Sequence, residues 1–544
     1  RRKPMNIESK IQDLVDQVNN FYPEFDNIFV SLGKPNIKAQ VKLLKNKRNL
    51  ERDVMKRCQK FKKQAGSYPQ WIKLDIVTDT QTIRFDNVAE ELITTRRNYI
   101  DFGIAMDNYW NLTFLPEEIN ANAFVRPKKG TNTLFLSEEN INNYLKKYTT
   151  HKKGFSYEFY KDKNVTKFYT QGFIYDGEGI YQLHGRGYQK NLRIVNNLHT
   201  EIDKLIDKSS DFLQNMLMPN GRYIYGYFPH FDKTINFYNV LRHASSTYAL
   251  IEGLAYQQKD ITSTEKAIDY IIDYCLCKDN SGAMFVFDGT NDINEIKLGQ
   301  NASFIFAVCE YLKYGQFNKR YLNVAQQVAQ GMLKMINQTT GETVHILNYP
   351  DLTVKEKYRI VYYDGEAALA LLRLYQIDQQ PQWIKTVKIL FEYFIANDYW
   401  KYHDHWLGYC TNELVQISSE EKYYRFGIQN VSSHLDYIKQ RETTYPTFLE
   451  MLMATYHLVE KAKASGYDDL VAEWLDEDKF IDTIHTRADY ERTGFFYPEI
   501  AMYFKKPGRI LNSFFIKHHG YRVRIDDIEH YVSGYVQYQK VFKS

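Results

Sequence analysis

From about residue 199 to the C-terminus, segments with one apolar stripe alternate with segments that are apolar almost all the way round. The striped segments are LHTEIDKLIDKSSDFLQNML, STEKAIDYIIDYCLC, RYLNVAQQVAQGMLKMI, WIKTVKILFEYFIAND, a looser stretch around VSSHLDYIKQR, and LVAEWLDEDKFIDTIH. Their more uniformly apolar partners start near Asn236, Gln300, Tyr363, His403, Tyr445 and Tyr497. A striped helix turns one face to water, whereas a helix apolar on all sides has to touch neighbours on all sides. Six such pairs predict an outer ring of helices around an inner ring, an (α/α)6 toroid. The partner starts recur at roughly 40 to 65 residues. Such uneven spacing fits six hairpins closing on themselves better than the competing open solenoid of helix pairs.

Before this region the period is two. WIKLDIVTDTQTIRF, from Trp71, predicts two strands around a turn at Thr78–Thr80, and Asp86 is expected to cap a helix through Arg97. YIDFGIAMD, WNLTFLPEEINANAFV and KFYTQGFIYDGEGIYQLHG read as further strand-rich stretches, with turn chemistry at Asp176-Gly177 and Gly179. The first 60 or so residues alternate helical pattern with basic runs such as KLLKNKRNLERDVMKRCQKFKK, which reads as a solvated helix face. The fold class is therefore mainly α: an α+β N-terminal domain over 1–195, then the toroid over 196–544. The glycines of GEGIYQLHGRG have neither the Lys-Ser/Thr of a phosphate loop nor the spacing of a dinucleotide fingerprint.

Composition narrows the partners. Lys and Arg total 70 against 66 Asp and Glu, a net charge of +4 that gives no reason to expect nucleic acid. The 45 Tyr and 33 Phe supply flat faces suited to sugar rings, although core packing and codon bias in an AT-rich genome account for most such excesses. Five cysteines without a CxxC pair indicate reduced thiols and favour a cytoplasmic setting. No stretch approaches eighteen apolar residues, so no transmembrane segment is expected. The chain opens RRKP without a methionine, which leaves an upstream signal or anchor, and hence secretion or membrane attachment, open.

In a closed double ring the inner helices run parallel, and their N-termini, with unpaired N–H groups and positive dipole ends, open onto one face. The residues at those positions are Asp232, Asn236 and Tyr238; Gln300 and Asn301; Tyr362, Asp364 and Glu366; His403, Asp404, His405 and Trp406; Thr444 and Tyr445; Tyr497 and Glu499. Any one of these mouths is an ordinary cap. Together they predict a funnel of carboxylates, imidazoles and aromatics. Asp364, Glu366, Asp404 and Glu499 are the candidate acids and bases, the pairing that glycoside hydrolysis needs. Asn236, Tyr238, Arg242, His243, Tyr362, His405, Trp406 and Tyr497 are the candidate substrate contacts. His243 or His405 could also abstract a proton from a sugar carbon. Arg242, inside an apolar helix, needs an anionic ligand or a partner such as Asn412 or Glu413. Neither a metal nor a cofactor is expected: alternate residues of His403-Asp404-His405 do not share a helix face, and Asp526 or Asp527 is expected to cap the terminal helix 528–540 and pair with Arg522 or Arg524.

YYDGEAALALLRLY, DHWLGYCTNEL and FFYPEIAMYF resemble inner-helix segments of the six-hairpin glycosidase-like superfamily, over about residues 199–544. The N-terminal region carries no such resemblance. The superfamily includes inverting glycoside hydrolases, unsaturated-uronide hydrolases, sugar 2-epimerases, glucuronyl C5-epimerases and polysaccharide lyases. The resemblance thus implies a glycan substrate in the funnel. A glycoside hydrolase is the leading expectation, with a sugar epimerase or lyase, or a non-catalytic glycan-binding protein, as alternatives.

Overall fold

A computed structural model describes residues 6–45 and 47–544. The opening RRKP run lies outside the described residues. The chain forms two compact units. One comprises the residues up to Asn197 with Tyr227–Thr234 and Arg492–Val523; the other comprises Leu198–Gly226, Ile235–Glu491 and Arg524–Ser544. Two later segments therefore belong with the N-terminal residues, which a single break at 195/196 does not provide for.

The first unit is built on a seven-stranded antiparallel sheet. Its order is Ile37–Leu44, Ile28–Lys34, Trp71–Arg84, Asn164–Tyr175, Gly103–Ala105 and Thr113–Phe114, with Ile180–Gln182 added to Asn164–Tyr175. The expected turn at Thr78–Thr80 is instead a register shift between Val77 and Asp79 within one long strand, because Asn164–Tyr175 pairs with it on both sides of the shift. The hairpin Ile28–Leu44 lies where helix was expected: its alternation is masked by Lys and Gln on the half-buried second strand. Asp86 falls inside the first turn of helix Phe85–Thr94 and pairs with Arg84.

The second unit is a closed toroid. The inner helices are Val240–Tyr256, Leu298–Tyr314, Tyr362–Asp378, His405–Ile417, Thr447–Ala464 and Ile525–Phe542. Each packs against the next, and the sixth packs against the first. The outer helices are Leu198–Met216, Glu265–Tyr274, Lys319–Lys334, Pro381–Ala396, Glu421–Ser432 and Glu477–Tyr490. Burial follows the sequence pattern: Leu298 to Tyr311 are buried without a break, whereas Lys319–Lys334 buries a stripe through Tyr321, Val324, Ala325, Val328 and Met332. Two assignments change. The fifth outer helix is Glu421–Ser432, and the VSSHLDYIKQR stretch supplies only the short helix Leu435–Gln440. The sixth inner helix is Ile525–Phe542, because the YPEIAMYF segment forms a single turn, Pro498–Ala501, too short to span a ring. Among the described residues no helix is long and apolar enough to cross a membrane.

Candidate functional site

The inner-helix mouths hold two kinds of polar group, those that hold the backbone and those that do not. Asn239 accepts the Arg242 N–H at 3.0 Å and Asp404 accepts the Leu407 N–H at 3.0 Å, both ordinary N-caps. Gln300 and Asn301 are spent on the backbone: Gln300 donates to the Val286 carbonyl at 2.8 Å, and Asn301 accepts the Val286 N–H at 2.7 Å. Asp364 accepts from the Thr343 hydroxyl and from His345 Nε2 at 3.1 Å. Since His345 Nδ1 accepts the Arg359 N–H at 2.8 Å, the imidazole proton sits on Nε2. Asp364 Oδ1 therefore ties the 343–360 segment to the third inner helix, while its buried Oδ2 has no hydrogen-bond partner.

Deeper in the ring, groups from all of the inner helices converge. Ser303 Oγ donates to Glu366 Oε2 at 3.0 Å, and Ser245 Oγ donates to Glu529 Oε1 at 2.5 Å. Tyr409 donates to Glu450 Oε1 at 3.0 Å, and Glu450 Oε2 lies 2.8 Å from His530 Nδ1. Glu529 Oε2 is 3.5 Å from the same nitrogen. The His405 and His530 rings stand perpendicular, their centroids 5.3 Å apart. His405 Nδ1 is 3.3 Å from Asp404 Oδ1, while its buried Nε2 has no protein partner. Close approach of the helices requires small residues: a Cβ on Gly299 would stand 2.5 Å from Tyr363 Cδ1 and 2.9 Å from Glu366 Oε1.

The electrostatics divide this cluster. Burial alone would lower the His530 pKa, but the charges of Glu529 and Glu450 and the Glu450 hydrogen bond outweigh it and push it up to about 10. Burial raises Glu366 well above the carboxylate range, reinforced by Asp404 and Glu529 against the Ser303 hydrogen bond. Burial likewise pushes Glu529 up to about 7, opposed by His530 and Ser245. The floor thus sets an imidazole whose proton Glu450 and Glu529 favour beside carboxyls whose charge burial opposes. His405, Glu450 and His530 also place one ligand atom each within 4.8 Å of one another, a spacing a metal could use. The carboxylates that keep His530 protonated oppose its use as a ligand.

Of the other residues singled out in the sequence, Tyr362 is half exposed, with its ring 5.8 Å from that of His405. Tyr358, Tyr402 and Tyr445 are likewise exposed. Arg242 donates to Tyr225 at 2.6 Å and meets Asp526 at 3.4 Å, while Glu413 belongs to Arg373 instead of Arg242. Asp526 also pairs with Arg524 at 2.7 Å, as expected of a residue opening the last helix. Asn236 is exposed on the approach to the first inner helix.

Five of the expected site residues serve the fold instead. Glu499 and Tyr497 lie in the first unit, where Arg193 grips Glu499 through two hydrogen bonds of 2.8 Å and its guanidinium lies 4.3 Å from the Tyr497 ring centroid. His243 is fully buried, with Nε2 on the Ala267 carbonyl at 2.8 Å and Nδ1 on Tyr238 at 2.5 Å. Burial pushes its pKa down to about 4, against the Ala267 bond, so it fastens the first inner helix to an outer one. Tyr238, itself buried, completes that clasp by accepting the Tyr223 N–H at 2.9 Å. Trp406 is 4% exposed and stacks on Phe306 at 5.3 Å, filling the ring instead of offering a face to a sugar.

Glu450, Glu529, His530 and Tyr409 were absent from the acids, bases and substrate contacts expected from sequence. The signal for Glu529 and His530 was IDDIEHYVSGYVQYQ, polar residues opening an apolar helix, the same design as the other mouths. Glu450 had the weaker signal of one carboxylate inside the apolar run TFLEMLMA.

No protein-family model matches the sequence, and no curated protein matches it. Among solved structures the chain is similar to a cellobiose 2-epimerase from Bacillus thermoamylovorans B4167, with 12% identity and TM-score 0.49 over 64% of this chain and 100% of that one. It is also similar to a D-mannose isomerase, with 13% identity and TM-score 0.47 over 63% of this chain and 98% of that one. A third is an α-mannanase of glycoside hydrolase family 76 from Bacteroides thetaiotaomicron, with 12% identity and TM-score 0.43 over 64% of this chain and 98% of that one. At these identities the likeness is one of helix arrangement, not of chemistry. The second unit is an (α/α)6 toroid by its own helix order and closure.

Proposed function

We propose that this chain is a carbohydrate-active enzyme that moves a proton at a sugar carbon, as an epimerase or an aldose–ketose isomerase does. The observation that carries the reading is the His405–His530 pair. His530 Nδ1 is taken by Glu450, so its Nε2–H is the proton offered to a substrate. His405 Nε2 is buried without a protein partner and carries a lone pair when the ring proton is on Nδ1, which lies 3.3 Å from Asp404 Oδ1. One ring is then an acid and the other a base, with centroids 5.3 Å apart.

On an open-chain sugar, His405 removes the proton from the carbon next to the carbonyl while His530 donates to the carbonyl oxygen. The resulting enediol is reprotonated on the same or the neighbouring carbon. The exposed rings of Tyr358, Tyr362, Tyr402 and Tyr445 suit the C–H faces of a sugar. The experiment is incubation with free aldohexoses, hexosamines and reducing disaccharides, followed by chromatography of the products. An epimer or ketose isomer supports the reading; release of smaller sugars from oligosaccharides alone counts against it.

A second reading, glycoside hydrolysis, is favoured by the raised carboxyls of Glu366 and Glu529, either of which could serve as the acid. The pH profile separates the two. Activity that needs His530 protonated is lost as pH rises through about 10. Glu450→Gln removes a charge that sustains that value, so the alkaline limb of kcat/KM moves to lower pH by more than about one unit, toward the ordinary histidine range. An alkaline limb unmoved by this variant contradicts the assignment of His530 as the acid.

A further inference from the structure

The inner ring has a second mouth, at the C-terminal ends of its helices, and the mechanism above does not use it. A cavity of ≈ 430 Å³ opens there, within the range of small-molecule sites. All six inner helices line it, with Glu252, Glu310, Arg373, Glu413, Ala454 and Lys540 as one residue from each. Phe306 separates it from the funnel: its ring stacks on Trp406 at 5.3 Å and lies 5.4 Å from the Arg373 guanidinium.

Two features make this more than a crevice. Glu252 is 3% exposed; Oε2 accepts from Tyr248 at 2.7 Å, but buried Oε1 has no hydrogen-bond partner. Buried Arg373 Nη1 has none either, while the rest of that guanidinium is held by Glu413 at 3.3 Å. An unmatched buried acceptor and an unmatched buried donor are costly unless a ligand or solvent meets them. Both border Tyr248, whose ring centroid is 4.8 Å from the Arg373 guanidinium.

The lining selects the ligand class. Glu252, Glu310 and Glu413 face Arg373, Lys313 and Lys540, with His457 beside them. Burial raises Glu252 and Glu310 and lowers His457. A polyamine meets three cations here and a phosphate meets three carboxyls, so neither charge is favoured. Arg373 can donate to a hydroxyl oxygen and Glu252 can accept a hydroxyl proton, so a ligand carrying several hydroxyls can answer both. We infer that the C-terminal mouth of the ring is a binding site for a small neutral polyol of monosaccharide size, separate from the funnel. This inference does not depend on which reaction the funnel performs.

The test is calorimetric titration of the full chain with D-glucose and myo-inositol, with spermidine and inorganic phosphate as charged probes. Millimolar binding of a neutral polyol should persist in His530→Asn, which alters only the funnel. It should weaken at least 10-fold in Glu252→Gln, an isosteric change, and in Asn412→Trp, which fills the half-buried rim. Both variants should keep the circular dichroism and melting of the parent; if either does not, a crystal soaked in D-glucose replaces it, with density expected beside Glu252 and Arg373. Polyol binding unaffected by both variants, or no density at this mouth, overturns the site. Tighter binding of spermidine or phosphate there overturns the ligand class.

Discussion

His530→Asn is expected to lower turnover by roughly 10²- to 10⁴-fold, the range for loss of a positioned acid–base group. The residue does two things that asparagine cannot. It supplies a dissociable proton, and it supplies the positive charge between Glu450 at 2.8 Å and Glu529 at 3.5 Å. Loss of that charge leaves two buried carboxyls facing each other, which they relieve by taking up a proton. The fold therefore survives at lower stability while the chemistry does not, and circular dichroism alongside kcat separates the two effects. His405→Asn should fall in the same range. Activity within tenfold of the parent in both variants removes the imidazole pair from the reaction.

The second large effect is on stability. Glu499→Gln is expected to destabilise the first unit by about 3 kcal/mol, the lower end for breaking a buried ion pair. Both side chains are buried, at 5% and 0% exposure. The replacement strands the Arg193 charge with only Asp176, at 3.0 Å, to answer it. For a unit of this size the melting temperature should fall by on the order of 10 °C, while kcat per folded molecule stays within about twofold. A variant that melts like the parent but has lost turnover would return Glu499 to the chemistry.

The contrast between these two residues shows where sequence pattern carried and where it failed. Periodicity identified the ring because burial on all sides leaves a continuous apolar run, as from Leu298 to Tyr311. It identified five of the six inner helices, each start within four residues, and it placed Asp404, His405, Glu366 and Tyr362 at neighbouring mouths. It misplaced the last mouth because YPEIAMYF and IDDIEHYVSGYVQ both put carboxylates ahead of apolar residues. Length decides between them: Pro498–Ala501 is four residues, Ile525–Phe542 eighteen. That shift replaced Glu499 by Glu529 and His530 in the site. Asp364 and His243 could not be sorted from sequence, since their partners, His345 and the Ala267 carbonyl, lie on other elements. The hairpin Ile28–Leu44 was hidden because its second strand is half exposed and carries lysines, the composition of a solvated helix.

In the proposed reaction a proton leaves and returns to a sugar carbon between His405 and His530. Incubation with the reducing sugars in D₂O, with the recovered sugars read by proton NMR and mass, tests it most directly. Deuterium is expected at the carbon next to the carbonyl, in product and in recovered substrate, and is lost in both His405→Asn and His530→Asn. Turnover with no carbon-bound deuterium, and with one oxygen from H₂¹⁸O in each new reducing end, would show hydrolysis and contradict it.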